Sequence, residues 1–306
     1  MRRALITGSQ GFVGQYLRRE LEENGYTVLG LDLQPGEGAV QADLLNPAQL
    51  AEAIRQARPE AVFHLAGQAD VARSWQIPRQ TMEINVIGAI NLMEAVRTFN
   101  PAVRLVMVGS SDQYGSLGTA GQCVTEELGM NPQTPYAVSK KAQEEMARVY
   151  VRAYGMDICM TRSFNHGGAG QRLGFLIPDF AAGIVRVERG EAKSLRVGNL
   201  TARRDFTHVK DVVRAYRLIA EKGRPGEVYN VGSGETHSAQ EILDKLCDMA
   251  SCPIPVEQDP AKLRPSDTPV ICCDRSKLTN DTGWAPQIPL EVILSDTLRE
   301  WRDRRD

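Results

Sequence analysis

Short apolar runs alternate with longer stretches of helical period through the first half of the chain. The runs are ALIT (4–7), TVLGLD (27–32), AVFHLAG (61–67), RLVMVGSS (104–111) and DICMTRSFN (157–165). They have strand length and are apolar at odd and even positions alike, which marks strands covered from both sides. Between them the period predicts helices from about Gly11 to Asn24, near Pro47–Ala57, over Thr81–Phe99 and over Tyr136–Tyr154. Strands of this kind separated by helices form a parallel sheet, and right-handed crossovers wind it doubly. The fold class is α/β, a doubly wound Rossmann sheet.

After about Asn165 the pattern loosens. NHGGAGQRLG is a glycine-rich loop, the stretch to Gly198 is mixed, and PIPVEQDPAKLRPSDTPV is rich in proline. This predicts a smaller mixed α/β lobe from residues 166–203 and 234–306. The larger Rossmann domain takes 1–165 and a return at 204–233.

Charge and composition narrow the function. A net charge of −2 over 306 residues argues against a nucleic-acid partner, because phosphate binding needs a basic surface. No apolar run approaches the ~20 residues that span a bilayer, and a strand follows the first residues directly, so neither membrane nor signal peptide is expected. The six cysteines are scattered apart from Cys272–Cys273 and read as reduced, buried thiols of a cytoplasmic protein. No spacing suggests a metal site.

Candidate chemistry begins at GSQGFVG, where Gly8, Gly11 and Gly14 flank Phe12 and Val13 between a strand and a helix. Glycines let the backbone turn tightly and approach a pyrophosphate, and the helix N-terminus offers free N–H groups. Asp32 ends the second strand, where a carboxylate accepts hydrogen bonds from an adenosine ribose and repels a 2′-phosphate. That favours NAD(H) and leaves NADP(H) possible; the plainer reading of Asp32 is a turn aspartate. Asp43 and Leu44 in QADLL are candidates for the adenine edge. Leu65, Ala66, Gly67 and Gln68 end the third strand beside the expected cofactor path.

Tyr136 and Lys140 in YAVSK stand one helical turn apart and share a face. A free phenol titrates near pH ~10. A neighbouring ammonium and a positive nicotinamide ring would favour phenolate and bring that value toward neutrality, a change worth roughly 4 kcal/mol. The phenol then becomes a workable proton donor. The pair alone describes an ordinary amphipathic helix equally well. Behind a dinucleotide fingerprint, with Ser110 and Ser111 at the end of an earlier strand, it points to catalysis.

These residues also carry a resemblance. TGSQGFVG, HLAGQ, Asn85 in INVIGAINLMEA and YAVSK resemble the extended short-chain dehydrogenase/reductase family. RSFNHGGAGQ (162–171), VGNLTARRDFTHVKDVVRAY (197–216), YNVGSGE (229–235), QDPAKLRPSD (258–267) and DTGWAP (281–286) are similar to its GDP-sugar branch, and most to the GDP-4-dehydro-6-deoxy-D-mannose reductases. The resemblance implies that Ser110 bonds the substrate carbonyl, Tyr136 delivers the proton, and Lys140 holds the nicotinamide ribose. Phe164 would touch the cofactor. Gln68 and Asp112 would touch the sugar, and Asn165, Arg204 and Arg264 the diphosphate, where a planar guanidinium suits the oxygens. Asn199 and Asp267 would help hold the guanosine. Ser163 and Ala169 depart from the family, which often has proline at both positions. The family also implies a homodimer through the two long helices.

VGSSDQYG (108–115) bears on the reaction. Related 4,6-dehydratases place a glutamate base three residues before the glycine of the Tyr-Gly pair. Here that position is Asp112, shorter by a C–C bond of about 1.5 Å, and a misplacement of that size can cost about 10²-fold. A reductase needs only hydride to C4, a proton from Tyr136 and polarisation by Ser110. The expected activity is therefore reduction of a GDP-4-keto-6-deoxy-hexose to a GDP-6-deoxy sugar such as GDP-D-rhamnose. The alternatives are a GDP-mannose 4,6-dehydratase holding NAD(P), a nucleotide-sugar 4-epimerase, and a non-enzymatic cofactor-sensing module. Retention of Ser110, Tyr136 and Lys140 together speaks against the last.

Overall fold

A computed structural model describes residues 2–117, 123–262 and 270–304. Its main sheet is built from β1 (Arg2–Thr7), β2 (Tyr26–Asp32), β3 (Ala39–Gln41), β4 (Ala61–His64), β5 (Arg104–Ser110), β6 (Ile158–Ser163) and a last strand at Val228–Val231. From one edge the order is β3, β2, β1, β4, β5, β6 and that last strand, every pair parallel. The order reverses between β1 and β4, which opens a crevice at their carboxyl ends. The two-residue period sorts the side chains. Leu5, Val62, Leu105 and Ile158 face one core, and Ile6, Phe63, Val106 and Cys159 the other.

Helices α1 (Phe12–Glu23), α2 (Pro47–Ala57), α3 (Val71–Gln76), α4 (Pro78–Met82), α5 (Gly88–Phe99) and α6 (Pro135–Tyr154) connect these strands. The ends of α6 are set by local chemistry. Thr134 caps it by accepting from Ala137 N, Pro135 occupies its first turn, and Gly155 closes it at φ 63°. The single helix predicted over Thr81–Phe99 is interrupted by a π turn at Glu83–Ile87. Asn85 lies inside that turn and is buried, with its amide bonded to the Gln68 backbone and to Ser139 Oγ. A wider turn re-aims one side chain at the cost of helical regularity.

The remaining strands are β7 (Asn165–Gly167), β8 (Leu195–Val197), β9 (Arg203–His208), β10 (Val228–Val231, the last of the main sheet), β11 (Thr236–Ser238), β12 (Val256–Gln258) and β13 (Val270–Ile271). β9 pairs with β7, β11 and β13, and β8 with β12. Helices α7 (Leu176–Glu188), α9 (Ala239–Asp248) and α11 (Leu290–Asp303) pack around Ile184, Ile242, Leu246, Ile293 and Leu294. Helices α8 (Val209–Lys222) and α10 (Ser276–Thr282) cover the main sheet instead. Leu278 and Trp284 join its core, a return from the C-terminal part that the sequence pattern did not indicate. No helix among the described residues is long and apolar enough to cross a membrane.

The cysteines correct an expectation. Cys123 and Cys272 form a disulfide across 149 residues of sequence. A parallel bridge between Val124 and Cys273 brings the two segments side by side, a proximity that sequence spacing does not reveal. Cys159 and Cys273 are free and buried; Cys247 and Cys252 are free and half-buried.

Candidate active site

The glycine turn is shaped for a close approach of backbone to ligand. Gly8 sits at φ +73°, and a Cβ there would come within 2.9 Å of the Ala66 backbone. A Cβ on Gly14 would overlap the carbonyl oxygen of Gly8. Helix α1 starts from Gly11 with no side-chain cap, so its first N–H groups are available to an anion. Phe12 and Val13 anchor that helix against the sheet core. This cradle fits the pyrophosphate of a dinucleotide.

Asp32 lies at the end of β2, half-buried, and both its oxygens accept backbone N–H groups, from Gln10 at 2.9 Å and Gln34 at 3.2 Å. The carboxylate is thereby fixed beside the glycine turn. Asp43 is exposed and accepts from Leu45 N at 2.9 Å. The Leu44 side chain is buried in the sheet core, and its carbonyl accepts from Asn91 Nδ2 at 2.9 Å. Leu65 and Ala66 are half-buried and Gly67 exposed at the mouth of β4. The Gln68 carboxamide turns back on its own loop, donating to Asp70 O at 2.8 Å and Thr81 Oγ1 at 3.3 Å.

His64 was not singled out from the sequence. It is fully buried, with Nδ1 2.8 Å from Thr7 Oγ1, and that hydroxyl accepts from Ala66 N at 3.2 Å. Burial, reinforced by the Lys140 charge, pushes His64 down to about 3, so the ring is neutral. It braces the turn that carries Ala66 and Gly67.

At the catalytic end, Tyr136 and Lys140 are both buried on one face of α6. The Lys140 ammonium donates to Val108 O at 2.9 Å and Gln143 Oε1 at 3.1 Å, and burial lowers it to about 8. The expected lowering of the tyrosine does not occur within the chain. Burial, then the charge of Asp112, pushes the Tyr136 phenol well above its ordinary value, and a hydrogen bond with the Ser110 hydroxyl only partly opposes them. The lysine charge is spent on Val108 and Gln143, whereas the negative neighbour is close. The phenol is therefore held protonated, as an acid.

Ser110 is half-exposed at the end of β5, and its Oγ accepts from Asp112 N at 3.2 Å. With a lone pair engaged there, the O–H is the natural donor to a carbonyl oxygen. Ser111 is buried. Gln113 and Glu144, also missed from the sequence, lie directly behind Ser110. Ser110 N donates to Gln113 Oε1 at 2.9 Å, and Gln113 Nε2 to Glu144 Oε2 at 2.7 Å. A buried glutamine three residues beyond a serine carries no sequence signal of this kind.

In the second lobe, Asn165 is exposed at the start of β7. The Phe164 side chain packs with Tyr114 and Val124 in a small apolar cluster, its N–H donates to Val231 O at 2.8 Å, and its carbonyl lies 3.1 Å from His166 Nδ1. Asn199 is exposed, and its Oδ1 accepts from Thr201 N and Oγ1. Arg204 is half-buried and donates to Arg203 O at 2.9 Å. Its neighbour Asp205 is buried and accepts from Ser233, Gly234 and Cys273. Arg264 and Asp267 lie outside the described residues. Among the described residues no cluster of three or more His, Cys, Asp or Glu could hold a metal.

Comparison with known proteins agrees with this geometry. The model of the family described as GDP-mannose 4,6 dehydratase matches residues 5–297. GDP-6-deoxy-D-mannose reductase from Pseudomonas aeruginosa is 34% identical over 303 residues, covering 99% of this chain and 98% of that protein. GDP-mannose 4,6 dehydratase 1 from Arabidopsis thaliana is 29% identical over 318 residues, covering 95% and 87%. The structure of RMD from Pseudomonas aeruginosa complexed with NADPH superposes with a TM-score of 0.90 at 32% identity, covering 99% of this chain and 100% of that one. A family model that spans residues 5–297 and a relative 34% identical over 99% of the chain show the family: the chain belongs to the GDP-mannose 4,6 dehydratase family of extended short-chain dehydrogenase/reductases.

Proposed function

We propose that the protein is an NAD(P)H-dependent reductase of a GDP-4-keto-6-deoxy-hexose, yielding a GDP-6-deoxy sugar such as GDP-D-rhamnose. The observation that carries this reading is the match to GDP-6-deoxy-D-mannose reductase at 34% identity over 99% of this chain, around a site in which Ser110 and Tyr136 can polarise and protonate a carbonyl oxygen. A dehydratase needs a carboxylate base as well as the tyrosine, and Asp112 stands one methylene short of the glutamate expected there. The bound nicotinamide supplies the hydride. Ser110 donates its hydroxyl to the C4 carbonyl oxygen and Tyr136 gives that oxygen its proton, so ketone, hydride and proton become an alcohol. Lys140, fixed on Val108, holds the nicotinamide ribose.

Asn165, Asn199, Arg204, Arg264 and Asp267 hold the nucleotide diphosphate in this reading, and the chain divides into 1–165 with 204–233 for cofactor and 166–203 with 234–306 for substrate, apart from α10 and Trp284, which pack on the main sheet. Asp32 selects NADH over NADPH. Ile87 on the π turn and Val138 and Val149 on one face of α6 are exposed and support a homodimer through the two long helices; light scattering at micromolar concentration that gives a monomer mass removes this part. The protein acts in the cytoplasm, where reduced nicotinamide is available.

The test is to mix the protein with reduced cofactor and the 4-keto sugar nucleotide and follow cofactor absorbance. Tyr136→Phe is expected to lose about 10²–10⁴-fold in turnover while still binding cofactor. If the keto sugar is instead formed from GDP-mannose, with no net cofactor consumed, the dehydratase assignment replaces this one.

A further inference from the structure

We propose that Gln113 is a positioning residue for the Ser110–Tyr136 pair, its carboxamide held in one orientation by the buried Glu144–Arg162 ion pair. The inference rests on the reductase reading of that pair.

Gln113 is fully buried, and its amide bridges two groups that both constrain it. Ser110 N–H requires an acceptor, and Glu144 Oε2 requires a donor. A flipped amide would set N–H against N–H on one side and carbonyl against carboxylate on the other. Each mismatch leaves a buried polar group unsatisfied, which is costly. Glu144 is the element that makes the choice one-sided. Burial alone would push its carboxyl up, but Arg162 above all, then Gln113 and Arg148, hold it below the usual range. Arg162 reaches it through Nε at 3.0 Å and Nη2 at 2.8 Å, and Arg148 through Nη2 at 3.1 Å.

The geometry connects this clamp to the reacting groups from both sides. Tyr136, Lys140 and Glu144 follow one another at single-turn intervals on α6, so the helix that presents the acid also carries the clamp. Arg162 stands on β6 in register with Gly109 of β5, and Ser163 with Ser110. Ser110 is thus tied to α6 through Gln113 and Glu144, and to the neighbouring strand by the ladder. Without the amide, Ser110 N would lose its acceptor and the turn that places Ser110 Oγ against Tyr136 could relax. A shift near 1 Å at such a site can cost about 10²-fold.

The test uses the full chain and the variant Gln113→Met, which keeps the volume and removes the hydrogen bonds. Hydrogen exchange across the peptide containing Ser110 is read alongside steady-state kinetics with the 4-keto sugar nucleotide. The expected result is faster exchange at Ser110, kcat lower by about 10–100-fold, and cofactor Kd and substrate KM within about twofold of the parent. A merely structural role would move thermal stability and cofactor binding together with kcat. Unchanged exchange, or a kcat within twofold of the parent, overturns the proposal. If Gln113→Met does not fold, the same readings are taken on Glu144→Gln, which removes the anion that holds the Gln113 amide in one orientation. A parent protein that reduces no keto sugar sinks the reductase reading alone, and the exchange measurement still decides whether Gln113 positions Ser110.

Discussion

Asp112 lies close enough to Tyr136 for its negative charge to add to burial in holding the phenol above its ordinary pKa. A carboxylate at this position disfavours the phenolate. In a reduction the protonated phenol is the active form, so activity falls as pH rises through its pKa. Asp112→Asn removes the opposing charge and makes the phenolate easier to form. The alkaline limb of kcat/KM against pH is expected to move to lower pH, with turnover at neutral pH kept within about tenfold. A limb that stays put, or one that moves to higher pH, would show that Asp112 does not act on Tyr136 through charge.

Cofactor choice turns on Asp32. Its two oxygens are fixed by the N–H groups of Gln10 and Gln34, so the carboxylate cannot easily swing away from a ribose 2′-phosphate. NADH is expected to give a kcat/KM at least tenfold above that of NADPH, since each factor of ten needs only about 1.4 kcal/mol of discrimination. Asp32→Ser should bring the two within about threefold, by gain with NADPH more than by loss with NADH. Initial rates with both cofactors check this, and equal rates in the parent would remove Asp32 as the selector.

The main sheet was readable because its strands repeat a simple physical pattern: Leu5 and Ile6, or Val62 and Phe63, serve opposite cores with no help from distant residues. Tyr136 and Lys140 were readable for the same reason, since one helical turn fixes their common face. What was not readable depends on contacts between remote segments. The π turn at Asn85 exists because its amide reaches Gln68 and Ser139. Within the chain alone the Lys140 ammonium is engaged by Val108 and Gln143, neither of which spacing along α6 identifies as its partner. The Gln113–Glu144 clamp joins a buried amide to a helix residue that reads as an ordinary polar position.

The disulfide between Cys123 and Cys272 ties the segment before Val124 to the residue that follows β13, the strand beside β9. Closing so long a loop restricts the unfolded chain, and a bond of this class contributes roughly 2–4 kcal/mol. The double variant Cys123→Ser, Cys272→Ser is expected to lose stability in that range by urea unfolding. In a reducing compartment the parent should show the same loss. Unfolding curves with and without a dithiol reductant decide the point: coincident curves for the parent would mean that the bond adds nothing or does not form.

His64 links acid stability to the cofactor turn. Its folded value is pushed down to about 3, against an ordinary value near 6.5. Below pH ~6.5 the unfolded chain takes up a proton that the folded ring refuses, so stability falls with falling pH until the folded value is passed. At pH 5 this group alone should cost on the order of 2 kcal/mol relative to pH 7.5. His64→Gln removes that share: its stability should fall less between the two pH values than the parent's, by urea unfolding of each. The variant also loses the brace from Thr7 to the turn at Ala66, so cofactor Kd should rise severalfold at pH 7.5, where the ring is neutral in folded and unfolded chains alike. Parallel pH dependence in parent and variant would show that His64 is not the group that carries the acid sensitivity, because a ring that stays neutral in the fold while the unfolded chain protonates must make stability fall with falling pH.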